Sequence, residues 1–447
     1  MSETDNNNKA VEQAAKPVKT AKKTKKVKKR KGILRILPEK PGYMVVLLLM
    51  ALLAIAFLAM MAVMNSFPTE MTMWLIGSLF GLLLVVWILI ARKSRVLRII
   101  GLVLALVFFG VFGLGTYYMG STYAMLASIS GNNDSEVPAG QLDVTKESFN
   151  IYITGIDQWA SEKGYDLERS DVNMIVTVCP LTRKILLTSI PRDSYVELYH
   201  VPEMDKLTHT GIYGVEETIK TVEKWLGLDL NYYVKMNFSA VRDIINAMGG
   251  IDVYSPVAFK TSLWGYNIEK GVNHMTGKKA LYFARERKAF EGKDSIRVEN
   301  QQRVVKACID KMTTSTVLLT KYGDIMKAAG RNLSTNMTTD DMSRLVKMQL
   351  QDLGTWDVQM QKIEGEYDMD YVASLTQEQK FQVYKPDPAS VQANLNKINE
   401  VMNPSEAEVQ AYREAYIENK KKESFINFIR KFTGKAGNQD SETDEAA

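Results

Sequence analysis

Cysteine is scarce in this sequence, with 2 among 447 residues, and no internal repeat is evident. So few cysteines exclude a small fold stapled by disulfides. Cys179 falls in a predicted strand and Cys308 in a predicted helix far along the chain. We therefore favour two buried thiols, with a disulfide between them as the alternative.

Both ends of the chain lack the apolar residues that a core needs. Residues 1–42 carry 13 Lys or Arg against 4 Asp or Glu, most of them in "KKTKKVKKRK". Residues 433–447 are acidic, and both ends are predicted to be disordered. The basic arm directly precedes an apolar run, so attraction to anionic lipid is favoured over nucleic-acid binding, and no nucleic-acid partner is expected.

Charge is absent from three apolar runs, residues 43–64, 73–91 and 99–119. Each is long enough to cross a hydrocarbon core of roughly 30 Å, and a first run so far from the N-terminus argues against a cleaved signal peptide. The loop "NSFPTE" lacks Lys and Arg, whereas the basic arm and "RKSRVLR" are rich in them. The positive-inside rule then predicts a multi-pass protein of the cell membrane, with a cytoplasmic N-terminus and an extracellular domain.

The domain after the membrane runs has the pattern of an α/β fold. A polar linker, residues 120–147, contains the turn formers of "GNNDSEVPAGQ". Beyond it, "FNIYITGI", "NMIVTVC" and "KILLTSI" are typical of strands, and the short "TRK" between the last two predicts an antiparallel hairpin. Helical patterns then alternate with strands, so we expect a mixed sheet covered by helices over residues 148–384. Residues 385–432, in which the chain-breaking "PDP" precedes two helical stretches, are predicted to form a separate helical appendage.

Charged residues lie at the ends of the three predicted strands. Asp157 follows the first strand, Arg169 and Asp171 precede or open the second, and Arg192 and Asp193 follow the third. A hairpin would bring the last four together at one sheet edge, as a solvated ion-pair cluster or as a ligand site. Converging carboxylates repel unless a cation lies between them, and Mg²⁺ is held by one or two carboxylates and by phosphate oxygens. Arginine suits bidentate phosphate binding.

A second polar group follows in "ARERK" and "KDSIRVENQQR". Arg285 and Arg287 can grip one ligand only if the helix ends between them, because positions i and i+2 do not share a helical face. Arg297 and Gln301 do share a face, beside an apolar stripe that begins at Val298. This arrangement favours a helix that presents polar side chains at a pocket rim, and it shifts the balance from ion pairing toward a pyrophosphate and metal site.

Three ordered segments resemble the LytR-CpsA-Psr domain of Gram-positive bacterial envelopes. They are "RSDVNMIVTVCPLTRKILLTSIPRDSYVEL", "DKLTHTGIYGVEETIKTVEKWLG" with the residues that follow it to "GGIDV", and "GVNHMTGKKALYFARERKAFEGKDSIRVENQQRVVKA". The resemblance covers residues 149–312, and the three apolar runs resemble the CpsA-like members. It implies a phosphotransferase that moves an anionic glycopolymer from a polyprenyl-pyrophosphate carrier to peptidoglycan outside the membrane.

The same resemblance implies roles for individual residues. Asp157 and Asp171 would hold Mg²⁺, with Mn²⁺ as an alternative ion. The pyrophosphate would be bound by Arg169, Arg192, Lys206, Arg285, Arg287, Arg297 and Gln301. The catalytic set would be Arg192, Arg285, Arg287 and Asp193. On chemical grounds Asp193 orients Arg192 or serves as the general base, and a metal-held carboxylate or the substrate phosphate are the alternative bases. The segment "KLTHT" departs from the family's "KINHA", because Thr208 replaces an asparagine.

Two further functions stay open from the sequence. A polyprenyl-pyrophosphate phosphatase would use the same residues with water as the acceptor. A membrane-tethered regulator would bind lipid-linked pyrophosphate and signal through the basic arm, although it has less need of two metal-holding aspartates. The polymer is capsule, teichoic acid or a similar glycan.

Overall fold

The computed structural model describes residues 40–131, 140–156, 169–289, 293–314, 317–330, 333–352, 354–375 and 378–433. The basic arm up to residue 39, part of the predicted linker (132–139), Asp157 and the acidic tail from residue 434 lie outside the described residues.

Three long apolar helices open the structure: α1 Pro41–Met64, α2 Thr69–Ala91 and α3 Arg95–Gly131. Each is long and apolar enough to cross a membrane, which confirms the three predicted helices. They pack together through apolar side chains, with the rings of Phe57 and Phe112 in edge-to-face contact at 5.1 Å.

The third helix continues past the predicted end of its apolar run, so the linker expected from residue 120 is wrong for residues 120–131. This last part of α3 buries Leu126 and Ile129, which are three positions apart and so share a face. Ser130 Oγ also donates a hydrogen bond to Met337 O at 3.1 Å. The helix therefore persists because it packs on the domain that follows, which we call the C-terminal domain (residues 140–402).

The C-terminal domain contains short strands and helices in alternation. The strands are β1 Phe149–Ile156, β2 Ser170–Cys179, β3 Lys184–Ile190, β4 Tyr195–Glu197, β5 Met204–Lys206, β6 Tyr232–Asn237, β7 Ile251–Ser255, β8 Phe259–Lys260, β9 Asn267–Ile268, β10 Gly271–Met275, β11 Leu333–Thr335, β12 Asp357–Lys362, β13 Gly365–Asp370 and β14 Phe381–Pro386. The helices are α4 Val215–Leu226, α5 Phe238–Ala247, α6 Gly277–Arg285, α7 Lys293–Thr314, α8 Val317–Thr320, α9 Tyr322–Ala329, α10 Thr339–Asp352, α11 Pro388–Met402 and α12 Glu406–Thr433, with a 3-10 helix at Leu207–Tyr213.

The central sheet has six strands in the order β11-β6-β1-β2-β3-β12. β2 is antiparallel to β1 and to β3, whereas β6 is parallel to β1 and β12 is parallel to β3. The predicted mixed sheet is thereby confirmed, as is the β2–β3 hairpin. This topology brings the ends of β1, β3, β6 and β12 and the start of β2 to one edge, which we call the site edge.

Helices cover both faces of this sheet. On one face α4 and α11 pack against Ile175 of β2, through Val215, Ile219, Val222, Leu226, Val391 and Leu395. On the other face α7 and α10 pack against Met174 and Val176, through Val305, Ile309, Met342 and Leu345. Alternate residues of β2 face opposite helical layers, as the two-residue period of a strand requires.

The predicted boundary at residue 385 is wrong, because it falls inside β14. α11 belongs to the fold: Ile398 and Val401 are buried with Leu186 of β3, and Asn394 Nδ2 donates a hydrogen bond to Lys362 O at 3.1 Å. The helix was mistaken for an appendage because few of its residues are apolar, although those few share one face. Among the described elements that follow α3, only α12 lies outside the domain.

The two cysteines lie in different parts of the core. Cys179 is buried beside α11, whereas Cys308 packs in the layer formed by α5, α6 and α7. Both are free thiols, as favoured over the disulfide, although Cys179 is buried and Cys308 only half-buried.

Candidate active site

The β2–β3 hairpin brings the charged strand ends into contact. Asn173 pairs with Ile190, so the start of β2 lies beside the residues that follow β3. Arg192 Nη1 donates a hydrogen bond to Asp171 Oδ1 at 2.5 Å, and Arg192 Nε lies 3.5 Å from Asp193 Oδ2. Because Arg192 is flanked by two carboxylates, its guanidinium is held at the site edge in one orientation.

Lys206 joins this group through the β4–β5 hairpin. Tyr195 pairs with Lys206, which returns the chain to the residues after β3. Lys206 Nζ lies 3.7 Å from Asp193 Oδ1, and both side chains are largely buried. Four predicted site residues therefore meet: Asp171, Arg192, Asp193 and Lys206.

His209, in the segment "KLTHT", has a structural role. Its Nδ1 lies 2.7 Å from Asp205 Oδ1 and 2.8 Å from Ser374 Oγ, and Asp205 is fully buried. Burial raises the pKa of Asp205, but hydrogen bonds from His209 and Ser374 outweigh it and lower the pKa below its ordinary value. This buried group fixes the chain next to Lys206.

Thr208 replaces the family's asparagine at a point directly behind Arg192. Its backbone N–H donates a hydrogen bond to Arg192 O at 2.8 Å. Its hydroxyl is buried and has no hydrogen-bond partner among the residues that the structure describes. The backbone of Thr208 thus supports Arg192, whereas its side-chain hydroxyl adds no bond there.

A cavity of about 770 Å³ opens at the site edge in front of Arg192. Its lining comes from the ends of β3 and β12, from the chain after α6, from α7 and from the β13–β14 hairpin. The lining residues are Pro191, Arg192, Asp193, Arg287, Lys288, Ser295, Val298, Lys362, Ile363, Glu364, Gly365, Tyr367, Gln382 and Tyr384. Four cations against two carboxylates make it suited to an anion.

Sequence reasoning missed the β12–β14 part of this lining. Lys362 Nζ donates hydrogen bonds to Ser295 Oγ at 2.5 Å and to Glu299 Oε1 at 3.1 Å, which joins β12 to α7. Tyr384 N donates to Asp193 O at 2.8 Å, which joins the β13–β14 hairpin to the end of β3. These pairings link residues far apart in the chain, so no local pattern in "KIEGEYDMD" could have shown them.

Buried Glu286 positions the arginines of "ARERK". α6 ends at Arg285, as a grip by both arginines requires. Glu286 Oε1 accepts hydrogen bonds from the backbone N–H groups of Arg287, Lys288 and Ala289 at 3.0, 2.8 and 3.1 Å. Burial raises the pKa of Glu286, but the backbone hydrogen bonds from Ser262, Ala289 and Lys288 outweigh it and lower the pKa. The loop that carries Arg287 into the cavity is thereby fixed.

The other predicted pyrophosphate ligands are not among the residues that line the cavity. Arg285 stacks on the ring of Phe238, with its Cζ 4.6 Å from the ring centre. Arg169 is exposed at the start of β2. Arg297 is buried in α7 and Gln301 half-buried, and the cavity residues of α7 are their neighbours Ser295 and Val298.

Of the two carboxylates expected to hold a hard cation, the structure describes Asp171, whereas Asp157 lies outside the described residues. Ile156 pairs with Ser170, so the residues before Asp157 and before Asp171 lie side by side on β1 and β2. Two carboxylates completed by phosphate oxygens are a usual Mg²⁺ environment. Within the described ranges no group of three or more His, Cys, Asp or Glu gathers as an all-protein metal site.

Comparison with known proteins gives a consistent result. Residues 116–399 match the LytR_cpsA_psr family. The chain is 33% identical over 259 residues to the polyisoprenyl-teichoic acid–peptidoglycan teichoic acid transferase TagU of Bacillus licheniformis, covering 56% of this chain and 82% of the relative. It is likewise 33% identical over 258 residues to TagU of Bacillus subtilis, covering 56% and 81%. The crystal structure of B. subtilis TagU superposes with a TM-score of 0.45 at 28% identity, over 58% of this chain and 99% of that one.

Proposed function

The chain belongs to the LytR_cpsA_psr family, and we propose that it moves a glycopolymer from a polyprenyl-pyrophosphate carrier to peptidoglycan at the outer face of the membrane. Its relatives are named teichoic acid–peptidoglycan transferases, and the chain is an enzyme of the same phosphotransferase family. The family match begins within α3 and extends into α11, so it includes the whole central sheet and the cavity.

The observation that best supports this reaction is the cationic cavity at the site edge. Arg192, Arg287, Lys288 and Lys362 line it together. A pyrophosphate diester carries its charge on several oxygens, and a bidentate arginine binds two of them at once. Phosphoryl transfer depends mainly on positioning and charge neutralisation, so a preorganised ring of cations supplies most of what the reaction needs.

The proposed step exchanges one phosphorus–oxygen bond for another. A sugar hydroxyl of peptidoglycan attacks the phosphorus that bears the polymer. The bond to the bridging oxygen breaks, and polyprenyl phosphate leaves with the electron pair. The proton of the hydroxyl passes to a base, for which Asp193 is the candidate because it lines the cavity. Arg192 and Arg287 neutralise the phosphate oxygens, and no enzyme nucleophile is needed.

Asp157 and Asp171 would hold the Mg²⁺ of this reaction. When bound, the ion neutralises charge on the pyrophosphate oxygens. The carboxylate of Asp171 also holds Arg192. Asp171 thus connects the metal position to the arginine that faces the phosphate.

The proposed topology places the N-terminus in the cytoplasm and the C-terminal domain outside. Lys347 Nζ of α10 donates a hydrogen bond to Asn65 Oδ1 in the α1–α2 loop at 2.9 Å. The uncharged loop and the C-terminal domain therefore lie at the same end of the helices. The basic residues at 92–98 lie at the opposite end, as the positive-inside rule requires for the cytoplasmic side.

A reconstituted assay tests this function. Full-length protein in detergent would be mixed with polyprenyl-pyrophosphate-linked teichoic acid, peptidoglycan oligomers and Mg²⁺. The proposal predicts polymer covalently joined to peptidoglycan, together with polyprenyl phosphate. Release of polymer without joining would identify a phosphatase, and binding without turnover would identify a regulator.

A further inference from the structure

An exposed aromatic turn lies next to the catalytic cavity and has no part in the chemistry above. Residues 261–266, "TSLWGY", connect β8 and β9. Trp264 is 69% exposed at its tip, which is unusual for the largest apolar side chain. The ring of Tyr282 lies 6.2 Å from that of Trp264, and the ring of Tyr266 lies 6.0 Å from that of Tyr282. Three neighbouring rings therefore form a platform at the surface.

The backbone of this turn is strained and rigid. Trp264 has φ +64°, a left-handed conformation that disfavours residues with a side chain, and Gly265 follows with φ +62°. The buried side chain of Thr261 donates a hydrogen bond to Leu263 O at 2.8 Å and accepts one from Tyr266 N at 2.9 Å. Strain maintained at an exposed aromatic residue is typical of a functional position, because surrounding bonds must offset its cost.

Glu286 connects the turn to the cavity. Its Oε2 accepts hydrogen bonds from Ser262 N at 2.6 Å and from Ser262 Oγ at 3.0 Å. Its other carboxylate oxygen holds the backbone of Arg287 and Lys288, which line the cavity. One buried carboxylate therefore fixes both the platform and the cationic loop. The distance and orientation between a ligand in the cavity and a sugar ring on the platform would therefore be fixed.

Helix α6 extends the platform toward the cavity. Lys278, Tyr282 and Arg285 occupy positions i, i+4 and i+7, which lie on one helical face. Lys278 Nζ lies 3.6 Å from the centre of the Trp264 ring. A Cβ placed on Gly265 would lie 3.0 Å from Lys260 Cε, so a second lysine borders the turn. Lys278 thus covers one face of the Trp264 ring, whose other face remains exposed for a ligand, and Lys260 borders the turn.

We propose that Trp264, Tyr266 and Tyr282 form a stacking subsite for a sugar ring of the glycan substrate, beside the catalytic cavity. The inference rests on the proposed function, because it assigns a place to the sugar of that reaction. One face of a pyranose presents partly positive C–H groups that pack on the negative face of an aromatic ring. Its edge presents hydroxyl or acetamido oxygens, which Lys260 and Lys278 can reach as donors. An apolar face with a polar edge matches this platform better than a lipid acyl chain does.

The ring belongs either to the polymer of the donor or to the glycan strand of the acceptor, and two probes distinguish these sources. Full-length protein in detergent would be titrated by calorimetry with a soluble peptidoglycan glycan fragment and, separately, with lipid-free teichoic acid. We expect Trp264→Gly to raise the Kd of at least one probe about 2- to 12-fold, the range typical of aromatic contacts. Trp264→Phe keeps a ring and should stay within about twofold of the wild type.

Folding and specificity are controlled in the same experiment. Glycine accepts the left-handed backbone, so Trp264→Gly should unfold at a temperature no lower than that of the wild type. Tyr254→Ala removes another exposed ring, on β7, and should leave both Kd values unchanged. Arg192→Ala should abolish turnover and still bind the glycan, so failure of the proposed reaction is distinguishable from failure of the subsite.

Two results would overturn the subsite. The first is that the wild type and Trp264→Gly bind each probe with the same Kd, or that neither protein binds either probe. The second is membrane insertion of the ring, measured in nanodiscs with brominated lipids. The brominated lipids would then quench the tryptophan fluorescence of the wild type more strongly than that of Trp264→Phe, and the glycan fragment would not relieve the quenching. This result would assign Trp264 to the membrane interface instead.

Discussion

Arg192 Nη1 donates a hydrogen bond to Asp171 Oδ1 at 2.5 Å, which joins the residue after β3 to the start of β2. The antiparallel hairpin makes this contact possible, because it places the two strand ends side by side. The same arginine lines the cavity, with Asp193 on its other side. The pair therefore links the proposed metal ligand to the proposed phosphate ligand.

Replacement of Asp171 separates its two proposed roles. Asp171→Asn keeps an acceptor oxygen for Arg192 but loses the charge that Mg²⁺ requires, whereas Asp171→Ala loses both. We expect each variant to reduce turnover by about 10²–10³-fold, and Asp171→Asn to need more Mg²⁺ for half-maximal rate. Turnover measured against Mg²⁺ concentration checks this. Normal turnover by Asp171→Asn at the usual Mg²⁺ concentration would show that Asp171 only orients Arg192 and does not hold the ion.

Asp252→Asn is the matched control. Asp252 lies on the β7–β10 ribbon, and its Oδ1 is 2.7 Å from His274 Nδ1 in an exposed pair. The substitution makes the same chemical change at a site with no cavity contact. Turnover and its Mg²⁺ dependence should both stay at the wild-type level.

We expect replacement of the Glu286 carboxylate to lower both the stability of the fold and the turnover. The pKa of Glu286 is lowered in the folded protein, so its contribution to stability is full above the ordinary carboxyl pKa. That contribution is lost as the pH falls through the lowered folded value. Glu286→Gln presents an amide N–H₂ to N–H donors and should lower the free energy of unfolding by about 1–3 kcal/mol at pH 7. Turnover should fall as well, because Arg287 is no longer held.

Thermal unfolding from pH 7 down to pH 3 measures the Glu286 effect. The difference in unfolding temperature between the wild type and Glu286→Gln should shrink below the ordinary carboxyl pKa. A difference that stays constant over this range would mean that the charge of Glu286 adds nothing to stability.

Thr208→Val tests the hydroxyl behind Arg192. Its Oγ1 is buried without a partner among the described residues, so an apolar group of the same shape removes a desolvation cost. We expect a free energy of unfolding equal to or about 1 kcal/mol above that of the wild type, with unchanged turnover. Chemical denaturation and the joining assay measure the two quantities. A clear loss of turnover would show that the hydroxyl contacts the substrate.

Two truncations test the corrected domain boundary. A chain that ends at residue 386 loses α11, whose Ile398 and Val401 are buried. Each such side chain contributes roughly 1.5–3 kcal/mol, so this chain should unfold at a clearly lower temperature. A chain that ends at residue 404 keeps α11 and loses only α12, including the ion pair of Lys184 with Glu408 at 2.9 Å. It should keep nearly all of its stability and turnover. An equal loss of stability in the two truncated chains would contradict the boundary.

The sheet and half of the site were predictable because their signals are local. The apolar runs around Ile175 and Leu187 predict strands, and a short loop between them fixes which charged ends meet. The end of α6 at Arg285 followed from the requirement that two arginines serve one ligand. Asp171, Arg192, Asp193 and Lys206 therefore meet in the structure.

The rest depends on contacts between distant segments. Arg297 and Gln301 were expected at the pocket rim from their spacing, but α7 is packed on both sides by apolar clusters that include Val304 and Val305. Arg297 is buried as a result, and its neighbours line the cavity. Lys362 reaches the cavity because β12 pairs with β3 across the sheet. A periodic pattern in one segment carries no information on such pairings.

The joining assay with Arg192→Ala tests the proposed function most directly. Full-length wild type and Arg192→Ala would be compared for labelled teichoic acid transferred from polyprenyl pyrophosphate to peptidoglycan oligomers in Mg²⁺. We expect covalent joining by the wild type and a loss of at least about 10²-fold in the variant, with an unchanged unfolding temperature. Near-normal joining by Arg192→Ala, or hydrolysis without joining by the wild type, would contradict it.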